Sequence, residues 1–431
     1  MALLDLAAAP GPARWRTDPA QYWRAIDQAV SERDGPVTVV ELSALRANIA
    51  DLRTRAAAGV RGESGPAPAA APIRLASKSI RVRGVIDAAL AVPGFAGVLA
   101  YDVAEAHWLA ADRPDRPGIA DVLLGYPSAD REAIARLLGD EVAAARVSLL
   151  VDSPAHLDLI DAAAPPADRP PVRVAIDLDA SWRHRLLGHI GVRRSPVHSV
   201  GDAVALAETI LARPGFRLVG AMSYEAQVAG VGNRAPGAPL RNLLISQIQH
   251  RSMRELRERR GATVAALRGL AELEFVNAGG TGSVEATAAD PAVTDIAAGS
   301  GLFGGHLFDT YRHFRPAPAA AFGLSVVRKP AADLAACHGG GWIASGPPAA
   351  DRLPKPVWPF GLEYLPREAA GEVQTPLRGP AAAGLAVGDR VWFRHAKSGE
   401  LAEHANTVLL VDDGVVVGEL PTYRGEGRCF L

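Results

Sequence analysis

Eight short apolar runs, each followed by an amphipathic stretch of helical length, set the strongest limit on what this chain can fold into. The runs are Ile73–Ser77, Gly97–Ala100, Asp121–Leu124, Val147–Val151, Val172–Asp177, Leu218–Ser223, Glu274–Asn277 and Thr294–Ala298. Strands that alternate with helices pair in parallel, because the helix carries the chain back to the start of the next strand. The intervening helices are predicted at Val82–Ala91, Ala104–Ala111, Asp130–Leu138, Pro154–Ala163, Gly201–Ala212 and Leu240–Leu270. Eight such units predict an α/β fold, a closed (β/α)8 barrel of the TIM type.

The punctuation supports this reading, since Gly62–Pro72, Ala163–Pro171 and Val231–Pro239 are Pro/Gly-rich connections between the predicted elements. After about Arg315 the alternation stops. Strand-like runs at Ala321–Val327, Gly341–Ala344, Arg390–Phe393, Thr407–Val411 and Val415–Leu420, with a Pro-rich stretch at Gly346–Pro366, predict a C-terminal all-β domain. The expected organisation is an N-terminal segment, 1–36, packing on the β-domain, a barrel over 37–314, and the β-domain over 315–431.

A chain of 431 residues, 48% of them hydrophobic, is long enough for two domains with substantial cores. Forty-six basic against forty-seven acidic residues leave a net charge of −1, so no global field draws it to nucleic acid or an anionic membrane. Two cysteines, Cys337 and Cys429, make no disulfide framework and no paired zinc motif, which points to the cytoplasm. The apolar run Ala2–Pro10 is broken by Asp5 and has no basic lead, so no signal peptide is expected. No uncharged run approaches the roughly 20 residues that span a bilayer. Small-molecule chemistry is what remains.

In a barrel, polar side chains at the carboxyl ends of the strands form the site. Lys78 closes the first run, where partial desolvation and a cationic neighbour such as Arg81 favour the neutral amine, a nucleophile able to form a Schiff base. A solvated lysine just past a strand reads the same way. Gly279-Gly280-Thr281-Gly282-Ser283 follows the seventh run and offers backbone N–H groups and hydroxyls to an anion, and Ala298-Gly299-Ser300 ends the eighth. Loops after strands seven and eight are where barrels commonly hold phosphate, although either is also an ordinary tight turn. Tyr224 and Glu225 follow the sixth run, where a ring could lie against a flat cofactor. Asp177 and Asp179 end the fifth, and a basic segment through Arg193 and Arg194 follows, one arginine of which could hold a phenolate oxygen. In the β-domain, His395, Lys397, Glu400, Glu403 and His404 crowd one connection; two histidines with carboxylates could bind zinc, and an exposed hairpin turn would look the same.

Taken in order, from the strand and Asn-Ile helix beginning at Val37 to the closing Tyr423-Arg-Gly-Glu-Gly, these segments resemble the D-threonine aldolase and D-serine dehydratase group of fold-type III pyridoxal-phosphate enzymes, and more distantly alanine racemase. The resemblance implies an alanine racemase-like barrel with a C-terminal β-domain, a homodimer, and pyridoxal 5'-phosphate joined to Lys78. It further implies Arg193 at the phenolic oxygen, Tyr224 at the cofactor, and Gly280, Thr281, Gly282, Gly299 and Ser300 at the phosphate.

The sequence departs from the family where Gly388-Asp-Arg-Val391 leads to His395-Ala-Lys397 in place of a metal-binding His-x-Asp or His-x-Cys. The expectation is that the Lys397 ammonium replaces a divalent metal, unless Glu400, Glu403 or His404 rebuilds the site; His395 and His404 are then the metal candidates. The expected activity is a lyase acting on a D-configured β-hydroxy amino acid, by retro-aldol cleavage or by dehydration and deamination, with His395 as base and Lys397 supplying charge. An amino-acid racemase and a non-catalytic pyridoxal-phosphate-binding protein are the alternatives.

Overall fold

The computed structural model describes residues 4–59 and 70–431, so most of the predicted Gly62–Pro72 connection lies outside the described residues. The chain divides into two compact units, one of Met1–Asp51, Lys78–Val92 and Ser300–Cys429, the other of Leu52–Ser77, Pro93–Gly299 and Phe430–Leu431.

Numbered along the chain, β1 (Val37–Glu41) belongs to the first unit. The second unit holds β2 (Ile73–Ala76), β3 (Phe95–Ala100), β4 (Val122–Leu124), β5 (Val147–Val151), β6 (Val172–Asp177), the hairpin β7 (Trp182–His184) and β8 (Gly188–Ile190), then β9 (Phe216–Ser223), β10 (Phe275–Ala278) and β11 (Asp295–Ala298). Strands β2 to β6 and β9 to β11 close into a barrel, each parallel to its neighbours, with β11 returning to β2. All eight predicted runs are barrel strands, each within two residues of its expected ends.

Leu123, Leu150, Ala175, Val219, Met222 and Phe275 pack together as a core of the barrel unit. One ion cluster is buried among the strands. Arg74 on β2 reaches Asp121 at 2.8 Å and Asp295 at 2.9 Å, with its guanidinium 5.2 Å from the Phe275 ring centre. Two carboxylates around one buried guanidinium offset its desolvation. Gly97 makes room for this arrangement, because a Cβ there would lie 2.5 Å from an Arg74 nitrogen and its φ is +69°. The surrounding helices start on side-chain caps: Asp102, Asp130 and Ser199 accept first-turn N–H groups of Val103–Ala110, Arg131–Leu138 and Val200–Ala212.

The first unit is built on a nine-stranded sheet of β1 with β12 (Ala320–Ala331), β13 (Leu334–His338), β14 (Lys355–Trp358), β15 (Glu363–Tyr364), β16 (Gln374–Arg378), β17 (Arg390–Arg394), β18 (Thr407–Asp412) and β19 (Val415–Pro421). Strand β1 pairs antiparallel with β12 and parallel with β18. Helix Pro19–Ala29 lays Tyr22, Trp23 and Ile26 on this sheet, where the Trp392 indole N–H donates to Asp27 at 2.9 Å. The run Gly341–Ala344, expected as a strand, is not one. Gly339 and Gly340 turn the chain with φ of +83° and +112° just before it, and Ile343 is exposed. Strands β13 to β16 escaped prediction because their apolar runs are short, and Pro356 and Pro376 interrupt β14 and β16.

No helix of the described residues is long and apolar enough to cross a membrane.

Candidate active site

In the barrel unit the predicted site residues gather at the carboxyl ends of the strands. Gly279 follows β10 with φ +89°, and its N–H donates to Glu225 at 3.2 Å. Glu225 is fully buried and also accepts from the hydroxyls of Ser283, at 3.2 Å, and Thr287, while Arg260 stands 3.6 Å away. One carboxylate thus braces both ends of the loop that carries Gly280, Thr281 and Gly282. Arg55 holds the same loop from outside, donating to the Thr281 carbonyl at 2.7 Å and pairing with Glu285 at 2.6 Å.

Tyr224 is brought against this loop: a Cβ on Gly280 would lie 3.1 Å from its ring. Burial pushes the Tyr224 phenol up to about 12 despite the opposing charge of Arg194. The guanidinium of Arg194 lies 5.8 Å from the ring centre of Tyr126 and 5.6 Å from that of Tyr224. Arg193, expected at the cofactor, lines a neighbouring cleft with Arg183, Arg185 and Arg194 itself. Neighbouring residues on an extended segment point opposite ways, so a one-residue difference reverses which arginine reaches the tyrosines.

A cavity of about 420 Å³ is lined by Tyr126, Asp152, His156, Asp177, Arg194 and Tyr224, among others. Asp177 is buried in it, and desolvation, reinforced by the nearby Asp152 charge, pushes its carboxyl up to about 7. Gly299 closes the loop after β11 against β2, where a Cβ would lie 2.3 Å from the Ala76 carbonyl oxygen. Ser77 follows Ala76, and the next residue along the chain is Lys78.

In the other unit Lys78, Ser300, His395 and Lys397 are also drawn together. Lys78 stands exposed on a single 3-10 turn, with its carbonyl accepting from Arg81 at 2.9 Å. Gly399, at φ +104°, presses on that carbonyl; a Cβ there would lie 2.3 Å from the oxygen. Arg81 pairs with Glu403, and Ser398 donates to the Ser300 carbonyl at 3.2 Å while facing His395 Nε2 at 2.9 Å. Burial, with Arg394 and His306 nearby, pulls the His395 imidazole down to about 3. Lys397 is also held below the ordinary lysine range by burial, Arg352 and the charge of Lys78, with Glu400 opposing; its ammonium donates to the Ser345 carbonyl at 2.7 Å.

His404 lies flat on Trp342, ring centres 4.9 Å apart and planes 2° from parallel. Among the described residues no group of three or more His, Cys, Asp or Glu side chains is placed to share a metal ion. Sequence reasoning missed Glu225 as the brace of the glycine loop and Ser398-Gly399 as the contact with Ser300 and Lys78. Only Glu225 carried a signal, a charged residue directly after a buried strand.

A closed parallel barrel whose chain also builds an antiparallel β-sheet region is the fold of alanine racemase-like, fold-type III pyridoxal-phosphate proteins. Among solved structures, the D-threonine aldolase of Filomicrobium marinum matches with a TM-score of 0.71 and 20% identity over 91% of this chain and 95% of that one. The D-threo-3-hydroxyaspartate dehydratase of Delftia sp. HT23 matches with a TM-score of 0.63 and 20% identity over 91% and 98%. An alanine racemase-like protein of Idiomarina loihiensis gives 0.63 and 13% over 96% and 99%. The resemblance read from the sequence is met at the level of fold. No family model matches the sequence, and no curated relative does.

Proposed function

We propose that this protein is a pyridoxal-phosphate lyase that breaks the Cα–Cβ bond of a D-configured β-hydroxy amino acid. The observation that carries the reading is the seating of the Gly299 loop on Ala76, two residues before Lys78, at the end of the strand beside the braced glycine loop. In this reading Lys78 carries the cofactor, Gly280, Thr281, Gly282, Gly299 and Ser300 take its phosphate, Tyr224 packs on its ring, and Arg194, with Arg193 beside it, faces its anionic oxygen. The residues fit such a group. Side chains at Gly280 or Gly299 would fill the cradle, and the buried Ser223 hydroxyl at the end of β9 has no hydrogen-bond partner among the described residues. The likeness to a D-threonine aldolase and a hydroxyaspartate dehydratase supports a lyase, and the likeness to an alanine racemase-like protein keeps a racemase as the alternative.

When bound, pyridoxal phosphate supplies an electron sink for the bond broken at Cα. The protein's own part is proton transfer. In its neutral form Lys397, whose basicity burial lowers, accepts the proton of the β-hydroxyl; the Cα–Cβ bond breaks as a carbonyl forms at Cβ, and Lys78 returns a proton to Cα. A charged Lys397 would protonate the departing hydroxyl instead, giving dehydration and ammonia release. His395, expected as the base, is too weakly basic once buried, and its role here is to hold Ser398. No step is assigned to a metal. A cytoplasmic homodimer acting on a small amino acid, with no nucleic-acid or membrane partner, completes the proposal.

Incubating the protein with D-threonine and D-serine and measuring glycine against ammonia tests the reading. Glycine is expected from D-threonine. Ammonia alone would reassign Lys397 to elimination, and neither product would sink the lyase. Borohydride reduction followed by peptide mapping is expected to mark Lys78.

A further inference from the structure

The segment after β6 forms a cleft of which the lyase reading uses only Arg193 and Arg194. It encloses about 760 Å³ and is lined by Arg183, His184, Arg185, His189, Arg193 and Arg194, with Asp179 as the one carboxylate in its wall. Asp179 is already satisfied: it accepts from the Ser181 N–H at 2.8 Å, the Ser181 hydroxyl at 2.7 Å and Arg183 at 3.0 Å, and stands 3.2 Å from His198. Arg183 is thereby compensated. Among the described residues, Arg185, Arg193 and Arg194 form no ion pair; the charge of Arg194 acts on Asp177, and Arg185 is the cation that neither a carboxylate nor the lyase reading takes up.

The base of the cleft is firmly built. Arg259 donates to the carbonyls of Asp179 at 2.7 Å, Ser181 at 2.9 Å and His198 at 3.1 Å. Gly191, at φ +130°, lets β8 leave close to Ser181, where a Cβ would lie 2.9 Å from that residue. The cleft also shares Asp179, Arg194 and Ser195 with the cavity that contains Asp177 and Tyr224. It is distinct from the phosphate loops, because those follow β10 and β11 while the cleft follows β6, with β9 between β6 and β10.

We propose that this cleft is a subsite for a carboxylate on the substrate's side chain, so that the preferred substrate is an acidic D-amino acid. The proposal rests on the lyase reading for the orientation of the substrate. Guanidinium groups match a carboxylate by paired N–H donors as well as by charge, whereas a neutral side chain would leave like charges facing one another.

The test is calorimetric titration of the protein, with pyridoxal phosphate added, by D-aspartate and by D-alanine, neither of which carries a β-hydroxyl. D-Aspartate is expected to bind at least about tenfold more tightly, as charge-assisted hydrogen bonds allow, and the advantage should shrink as salt is raised. Arg185→Ala should reduce the ratio of the two affinities several-fold, and Arg185→Lys should restore part of it. Equal affinities, or a preference indifferent to both salt and Arg185→Ala, would overturn the subsite. A D-aspartate preference in a protein that releases neither glycine nor ammonia from D-threonine or from D-3-hydroxyaspartate would sink the lyase reading alone, so the two failures are distinguishable.

Discussion

The guanidinium of Arg194 lies 5.6 Å from the ring centre of Tyr224, the tyrosine that meets Gly280 of the glycine loop. An exposed cation over an aromatic face contributes about 0.5–1 kcal/mol. Arg194→Ala is therefore expected to weaken pyridoxal-phosphate binding about two- to fivefold, read by absorbance titration. Because the Arg194 charge lowers the Tyr224 phenol, its removal should also raise that phenol further in an ultraviolet pH titration.

Asp177 makes stability depend on pH in one direction. Its carboxyl is raised to about 7 in the fold, against about 3.9 in an unfolded chain. Below the lower value both states are protonated; between the two only the unfolded state has released the proton, so stability falls as pH rises through this window and levels off above it. Asp177→Asn removes the effect. Its stability relative to wild type should grow from pH 4 to 7 by about 4 kcal/mol at most and then stay flat, as measured by urea unfolding across pH.

Glu225 is the brace of the glycine loop and faces Arg260 in a fully buried setting. Removing one partner of a buried ion pair costs about 3–5 kcal/mol, and Arg260 keeps Asp290 at 2.7 Å, which places Glu225→Ala near the lower end. Glu225→Gln retains an acceptor and should lose less. Denaturant unfolding measures the first effect, and the cofactor affinity of the Gln variant reads the loop.

Gly399 has two reasons to be glycine: a left-handed φ of +104° and a close approach to the Lys78 carbonyl. Gly399→Ala must move the backbone that carries Lys78. The expected cost is about 1–3 kcal/mol in unfolding free energy, with a larger fractional loss of borohydride-trapped Lys78 than of total fold.

Much of the fold was legible because periodicity is a local property. Each barrel strand announces itself over four to eight residues by an apolar run bounded by turn residues, and all eight stand close to where that pattern put them. The glycine clusters after β10 and β11 were legible for the same reason, since a tight backbone approach demands residues without side chains.

Pairing and burial were decided elsewhere. Nothing within Val37–Glu41 tells that its neighbours are β12 and β18, nearly three hundred or more residues away along the chain. Between Arg193 and Arg194 the sequence offers no choice; the rings of Tyr126 and Tyr224, from two other strand ends, make it. His395 reads as a base until the surrounding sheet takes away its water. The sequence by itself determined which segments become strands, helices and glycine turns, because those depend on residues within a few positions of one another. Tertiary structure alone decided which charges are desolvated and which arginine meets the tyrosines, because each is a sum over neighbours that only the completed fold brings together.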